Sequence, residues 1–116
     1  MNYTFTLPLP PTKNQLHDVK NDRIYLTEIA EDWYEEAGYA ILSQLKGPRK
    51  PLTGNVYVGV HYKLNRRRDL DSGEAIFDLL QKMNIIENDD QIQQMKVSKL
   101  IDKRGTPDVI VEVMKI

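Results

Sequence analysis

Apolar residues in several short stretches alternate with polar ones, a period of two that is typical of half-buried strands. The clearest stretch covers residues 55–63, where Val56, Val58, Val60 and Tyr62 share one face. Three further strands are predicted, at residues 3–7, 95–100 and 109–116. The central stretch of alternating valines is therefore expected to be the best-ordered strand of a sheet.

Two other stretches repeat apolar residues every three or four positions, which predicts helices at residues 27–45 and 73–83. Thr27 is placed to cap the first helix. Ser72, or Asp71 in its place, is the expected N-cap of the second. Gly38 lies in the middle of the first helix, where glycine costs about 1 kcal/mol relative to alanine, so we expect close packing there.

The resulting order of elements is β-α-β-α-β-β, which predicts an α/β fold with a small mixed β-sheet and two packed α-helices. At 116 residues the chain is long enough for one modest core, so residues 1–116 are predicted to form a single domain. Four connections are predicted: a loop at residues 12–22, turns at residues 51–54 and 84–90, and a hairpin loop at residues 102–105.

Composition excludes several kinds of site. The chain has no cysteine, which excludes disulfides, thiolate metal sites and cysteine nucleophiles. No apolar run approaches the roughly 20 residues of a membrane span, and residues 1–4 lack the features of a signal peptide, so a cytoplasmic protein is expected. The net charge is −1, so any surface that binds nucleic acid must be a local basic patch.

Asp69 and Asp71 follow the central strand and carry the most informative chemistry. In an extended segment, residues two apart share a face, so the two carboxylates would project together. Paired carboxylates repel each other unless a cation neutralises them, and oxygen ligands suit Mg²⁺. Asp89 and Asp90 come one helix later and would complete such a site. The alternative is that these aspartates only cap helices and form turns.

Arg66, Arg67 and Arg68 run directly into the acidic pair. A basic rim beside carboxylates suits a phosphate backbone, although three consecutive side chains cannot all share one face of an extended chain. The alternative is a solvated strand end. His61 lies nearby and is expected to be a partly buried, hydrogen-bonded histidine in preference to a catalytic base. More basic residues would widen the surface: Lys96, Lys99, Lys103 and Arg104.

Three segments of the sequence resemble the RusA family of Holliday junction resolvases. They are residues 66–71 (Arg-Arg-Arg-Asp-Leu-Asp), residues 87–92 (Glu-Asn-Asp-Asp-Gln-Ile) and residues 7–14 (Leu-Pro-Leu-Pro-Pro-Thr-Lys-Asn). The resemblance spans essentially the whole chain. It implies a small homodimeric endonuclease, typically encoded by a phage or prophage, that nicks four-way branched DNA symmetrically in recombination and repair.

The resemblance also implies site residues. Mg²⁺, with Mn²⁺ as a substitute, would be held by Asp69, Asp71 and Asp89, and the adjacent Asp90 is the alternative to Asp89 as the third ligand. The residues expected to bind DNA are Lys13, Arg66, Arg67, Arg68 and Lys96.

The chain departs from the family pattern directly after Asp71. The family continues with Asn-x-x-Lys, whose lysine is thought to assist catalysis, whereas residues 72–75 here read Ser-Gly-Glu-Ala. The segment is also one residue shorter. The family lysine can stabilise negative charge that develops during the reaction, so its absence here leaves three alternatives. The activity is lower, Arg68 or Lys96 takes over the role of the lysine, or the protein binds junctions without cutting them.

Overall fold

The computed structural model describes residues 2–20, 23–45, 50–67 and 73–116, apart from the side chains of Lys13 and Asn14. Within these ranges, no helix is long and apolar enough to cross a membrane. The elements are β1 (Asn2–Leu7), α1 (Lys13–Leu16), β2 (His17–Lys20), β3 (Arg23–Leu26), α2 (Glu28–Gln44), β4 (Val56–Leu64), α3 (Glu74–Lys82), a 3-10 helix (Asp89–Gln91), β5 (Ile92–Ile101) and β6 (Asp108–Lys115).

A four-stranded mixed sheet in the order β1-β6-β4-β5 forms the framework of the fold. β4 pairs with β5 in parallel and with β6 antiparallel, and β1 extends the sheet by pairing antiparallel with β6. Parallel neighbours need a crossover connection, which α3 supplies between β4 and β5. The predicted α/β class, with a small mixed sheet and two packed helices, is therefore confirmed.

One face of the sheet packs against α2 and α3. Val56, Val58 and Val60 of β4 are fully buried on this face, as their alternation predicts. They belong to one apolar cluster with Trp33 of α2 and Ile76 of α3. Burial of apolar surface contributes about 25 cal/mol per Å², so this shared stripe is what holds the helices on the sheet.

The ends and the packing of α2 follow from single residues. The Thr27 hydroxyl accepts a hydrogen bond from the Ala30 N–H at 3.1 Å, so Thr27 caps the helix as predicted. A Cβ atom at Gly38 would lie 3.3 Å from Met83 Sδ. The close packing that this glycine predicts is therefore confirmed.

Gly73 occupies the N-cap position of α3, so the expectation that Ser72 or Asp71 would cap this helix was wrong. The backbone of Gly73 has a φ of 86°, a left-handed conformation that glycine adopts without the steric cost of a Cβ atom. The requirement at this helix end is therefore conformational, and among the described residues no side chain caps it with a hydrogen bond.

Residues 13–20 were predicted to be a loop, and that prediction was wrong. They form α1 and β2, and β2 pairs antiparallel with β3 in a two-stranded ribbon, which we call the ribbon below. Every side chain of β2 is exposed. Because no face of this strand is buried, its sequence lacks the alternation by which strands are recognised.

Residues 102–105 were predicted to be a hairpin loop, and the structure corrects this as well. They do form a turn, in which the Gly105 N–H donates to the Asp102 carbonyl at 3.1 Å. The turn joins β5 to β6, but these strands lie on opposite sides of β4 and do not pair. β4 is buried along one whole face. It therefore lies at the centre of the sheet, between β5 and β6, which follow it in the chain.

α2 and α3 leave the opposite face of the sheet uncovered. His61 lies there, with Nδ1 2.6 Å from Ser98 Oγ and Nε2 3.4 Å from Glu112 Oε2. Its side chain is 30% exposed. The expectation of a partly buried, hydrogen-bonded histidine is therefore confirmed.

Candidate active site

Asp89 lies in a groove of about 400 Å³ between the ribbon, α2 and α3. Its polar lining residues come from all of these elements: His17, Tyr34, Glu74, Asp78, Lys82 and Asp89. Carboxylates outnumber basic groups among these lining residues. The groove, as far as its described residues define it, therefore attracts cations more than anions.

Hydrogen bonds hold the backbone of Asp89 in place. The Asn88 side chain accepts the Asp90 N–H at 3.0 Å, which caps the 3-10 helix. The Asp89 N–H donates to Gln81 Oε1 at 3.1 Å, which ties this turn to α3. The main chain of Asp89 is thus positioned from two sides, and its carboxylate is left to project.

Gln91 connects the Asp89 turn to the chain that enters β4. The side chain makes four backbone hydrogen bonds: Oε1 accepts from the N–H groups of Glu87 at 2.7 Å and Asn88 at 2.9 Å, and Nε2 donates to the carbonyls of Leu52 and Gly54, both at 2.8 Å. Sequence analysis missed both Gln81 and Gln91 as positioning residues. The Asn-x-x-Gln spacing of residues 88–91 is a capping box and was the signal that predicts the role of Gln91.

Asp89 and Asp90 differ in their surroundings although both are exposed. Asp89 lines the groove, whereas Asp90 does not. No described residue forms an ion pair or a hydrogen bond with the Asp89 carboxylate. A carboxylate that has no described partner and lines an acidic groove suits a hard cation, so Asp89 fits the chemistry of a metal ligand better than Asp90 does.

The other two predicted ligands, Asp69 and Asp71, lie outside the described residues. Among the side chains that the structure does describe, no three histidines or carboxylates come close enough together to hold a metal ion. Glu74 follows Asp71 by three positions and lines the same groove as Asp89.

Tyr34, Asp78 and Lys82 form a connected group in the wall of the groove. Lys82 Nζ lies 3.2 Å from Asp78 Oδ2 and 4.2 Å from the centroid of the Tyr34 ring. Burial raises the pKa of Tyr34, and its hydrogen bond to Asp78 and the charges of Asp78 and Glu74 raise that pKa further. The Tyr34 phenol therefore stays protonated at neutral pH and donates to Asp78.

The predicted basic residues whose side chains the structure describes do not line the groove. Arg66 borders a separate cavity of about 290 Å³, and Arg67 is exposed beside it in the sequence. Lys96 lies on β5, on the sheet face that the helices leave uncovered. Arg68 and the side chain of Lys13 lie outside what the structure describes. Any DNA surface that used all of these residues would have to extend well beyond the groove.

Comparison with known families defines the class of protein first. Residues 8–114 match a family model of endodeoxyribonucleases, so the chain is an enzyme that cleaves DNA internally. The model is described as Endodeoxyribonuclease RusA, and because it matches nearly the whole chain, this protein belongs to the RusA family.

Relatives from several bacteria share this similarity. The crossover junction endodeoxyribonuclease RusA of Aquifex aeolicus (strain VF5) is 24% identical over 112 residues, which cover 96% of this chain and 87% of that protein. The proteins of the same name from Escherichia coli O1:K1 / APEC and Shigella sonnei (strain Ss046) are each 25% identical over 104 residues, covering 89% of this chain and 87% of theirs. The family resemblance seen in the sequence is therefore confirmed.

Proposed function

We propose that this protein is a divalent-metal-dependent, structure-selective endodeoxyribonuclease that resolves Holliday junctions by paired nicks, in DNA recombination and repair. The family match and the relatives named crossover junction endodeoxyribonucleases support the reaction and the substrate. The observation on this chain that carries the proposal is the Asp89 carboxylate, which lines an acidic groove and has no described partner.

Asp69, Asp71 and Asp89 are the proposed metal ligands, and Mg²⁺ is the proposed ion, with Mn²⁺ as a substitute. When bound, such an ion activates water and stabilises the leaving oxygen of a phosphodiester. The contribution of Asp89 depends on its fixed main chain, because the hydrogen bond from its N–H to Gln81 keeps the carboxylate at one place beside α3. Asp90, which is not among the residues that line the groove, serves as the internal comparison.

The proposed DNA contacts are to phosphates. Arg66 and Arg67 are exposed where β4 ends, and Arg68 follows them directly in the sequence. Lys13 and Lys96 are proposed as outer contacts. Such contacts position the duplex without reading its sequence, and they weaken as salt rises.

We propose a homodimer as the active form. Two symmetric nicks in opposing strands need two active sites related by a two-fold axis, and a two-fold homodimer supplies this arrangement. A junction also has two-fold symmetry, so the enzyme and its substrate match in symmetry.

The deciding experiment measures nicking of a synthetic four-way junction with Mg²⁺ by the wild type, Asp89→Asn and Asp90→Asn. We expect Asp89→Asn to lower the nicking rate by about 100-fold or more, because loss of an outer-sphere partner of a metal ligand already costs roughly 10–100-fold. Asp90→Asn is isosteric and adjacent, and we expect it to retain most activity. A chelator should abolish nicking, and added Mg²⁺ or Mn²⁺ should restore it.

Other outcomes separate the alternatives. Junction binding by the wild type without nicking, in either metal, would show a binding protein that has lost activity. A large loss with Asp90→Asn and none with Asp89→Asn would reassign the third ligand. A wild type that neither binds nor nicks branched DNA would contradict the proposed function.

A further inference from the structure

The ribbon has two chemically different faces. In an antiparallel pair, directly opposite residues share a face and successive pairs alternate between faces. The pairs on one face are His17 with Leu26 and Val19 with Ile24. The pairs on the other face are Asp18 with Tyr25 and Lys20 with Arg23. One face is therefore mainly apolar, and the other carries the cations.

Val19 and Ile24, the pair on this face that lies further from the core, are unusually exposed for apolar side chains. Val19 is 66% exposed and Ile24 is 73% exposed. Neither belongs to the apolar core or packs against it, whereas Leu26 at the inner end of the same face does pack against it. Two β-branched side chains are thus presented together on a narrow projection, where they contribute little to folding.

The base of the ribbon is firmly attached. The Thr27 N–H donates to the Leu16 carbonyl at 3.1 Å, and the Thr27 hydroxyl donates to the Gln15 carbonyl. Leu16 is buried in the core. An isolated two-stranded hairpin is marginally stable in water, so this attachment is what lets the ribbon keep a defined direction.

The ribbon starts at the proposed active site. His17 and Leu26 line the same groove as Asp89. Val19 and Ile24 lie on the same face as that pair but two residues further along each strand, which places them roughly 7 Å further out. The exposed apolar pair therefore continues one wall of the groove beyond its edge.

The neighbouring charges indicate what such a surface binds. Lys20 and Arg23 form the next cross-strand pair along the ribbon, so their cations lie on its other face, one residue beyond Val19 and Ile24, with Asp18 as the one acidic side chain of the ribbon's described residues. Phosphates pair with cations, and bases expose flat apolar faces once they are unstacked. Apolar side chains flanked by basic ones are accordingly used as wedges between base steps.

We propose that Val19 and Ile24 form a wedge that packs against unstacked bases at the branch point of a junction, while Lys20 and Arg23 hold the adjoining phosphates. The inference rests on the proposed function and adds an element that selects branched over linear DNA. A continuous duplex offers no unstacked base, so the wedge contributes to binding only at a branch.

The test compares Val19→Ser/Ile24→Ser with Ile29→Ser/Leu42→Ser, a control pair of exposed apolar residues on α2. Affinity is measured for a four-way junction and for a linear duplex of the same sequence. We expect the ribbon variant to bind the junction about 10-fold more weakly, the scale of one lost base contact, and the duplex as the wild type does. A fluorescent base analogue at the branch point should lose its protein-induced signal in the ribbon variant alone.

The cations are tested separately with Lys20→Gln/Arg23→Gln. Loss of two phosphate contacts should weaken binding to both DNA forms and lower the slope of log affinity against log salt by about 2. This result would distinguish the phosphate contacts from the wedge, which affects the junction alone.

The inference is contradicted if the ribbon variant binds and nicks the junction like the wild type while remaining folded by circular dichroism. It is also contradicted if the variant changes the sedimentation coefficient of the free protein, because the apolar pair is then an interface between copies of the chain. A wild type with no affinity for junctions would instead contradict the proposed function, and the inference with it.

Discussion

Single residues set the chemistry of the groove, and Tyr34 is the best example. It lies on the helix that begins after Thr27, but its importance comes from Asp78 and Lys82 on α3. No feature of the sequence links positions 34 and 78, because that contact is created when two helices pack on one sheet. The Thr27 cap, by contrast, involves residues three apart and was predicted correctly.

The ionisation of Tyr34 provides a prediction at this scale. Burial raises the pKa of Tyr34 above the ordinary value of about 10. The hydrogen bond to Asp78 and the charges of Asp78 and Glu74 raise this pKa further. The folded state thus keeps a proton that the unfolded state loses. The resulting stabilisation is fully present below about pH 10 and is lost as pH rises toward the folded pKa.

We expect an alkaline titration, monitored by tyrosinate absorbance, to show one tyrosine that ionises at unusually high pH. This ionisation should be absent in Tyr34→Phe. Tyr39→Phe serves as the control, because Tyr39 lies on the same helix and is 65% exposed. That variant should leave the high-pH ionisation of Tyr34 in place. Loss of an ordinary ionisation from Tyr34→Phe would show that the phenol does not contact Asp78 in solution.

Among the elements, the turn of residues 87–91 has the most direct bearing on function. It carries Asp89 and is held by Gln91 to the segment before β4 and by Gln81 to α3. The family resemblance predicts Asp89 as a metal ligand because Asp89 falls in the segment that matches the family's second acidic motif. It did not reveal the two glutamines, since their partners are backbone groups that the sequence does not distinguish from any others.

Gln91→Ala is predicted to impair function by loosening this turn. Hydrogen bonds contribute about 0.5–1.5 kcal/mol each, and water replaces some of them at an exposed turn, so we expect a loss of about 1–3 kcal/mol in the free energy of unfolding. Junction nicking should fall more than junction binding does. Denaturant unfolding and the nicking assay measure the two effects.

Gln94→Ala is the matched control for Gln91, because Gln94 is an exposed glutamine on the neighbouring strand. It should leave both stability and nicking unchanged. If Gln91→Ala nicks junctions at the wild-type rate, the turn does not position a residue that takes part in the reaction.

In the whole molecule, one apolar core supports both the groove and the ribbon. α3 contributes Ile76, which is fully buried, while its polar side contributes Glu74, Asp78 and Lys82 to the groove. The same helix therefore anchors the site to the sheet and lines it.

Ile76→Ala is predicted to destabilise the protein by about 2–5 kcal/mol, because it removes buried methyl groups and leaves a cavity. Ile29→Ala removes the same groups from a side chain that is 58% exposed, and we expect a change within about 0.5 kcal/mol. Denaturant unfolding monitored by Trp33 fluorescence compares the two. Equal effects would show that α3 does not pack against the sheet as described.

Periodic and local signals in the chain predicted the α/β class, β4 and its buried valines, α2 with its Thr27 cap, and the tight packing at Gly38. These features depend on residues a few positions apart, so alternation, helical spacing and capping chemistry report them directly. The resemblance added the family, since it is carried by short motifs within the chain, and from the same motifs it predicts Asp89 as a ligand.

Other features arose only when distant segments packed together. β4 separates β5 from β6 because strands compete for the most buried position in the sheet, and no turn signal records that competition. The ribbon lacks the alternation of a buried strand, and the groove draws His17, Tyr34 and Asp89 from three parts of the chain. Contacts between segments so far apart depend on the packing of the whole core, which no local pattern encodes.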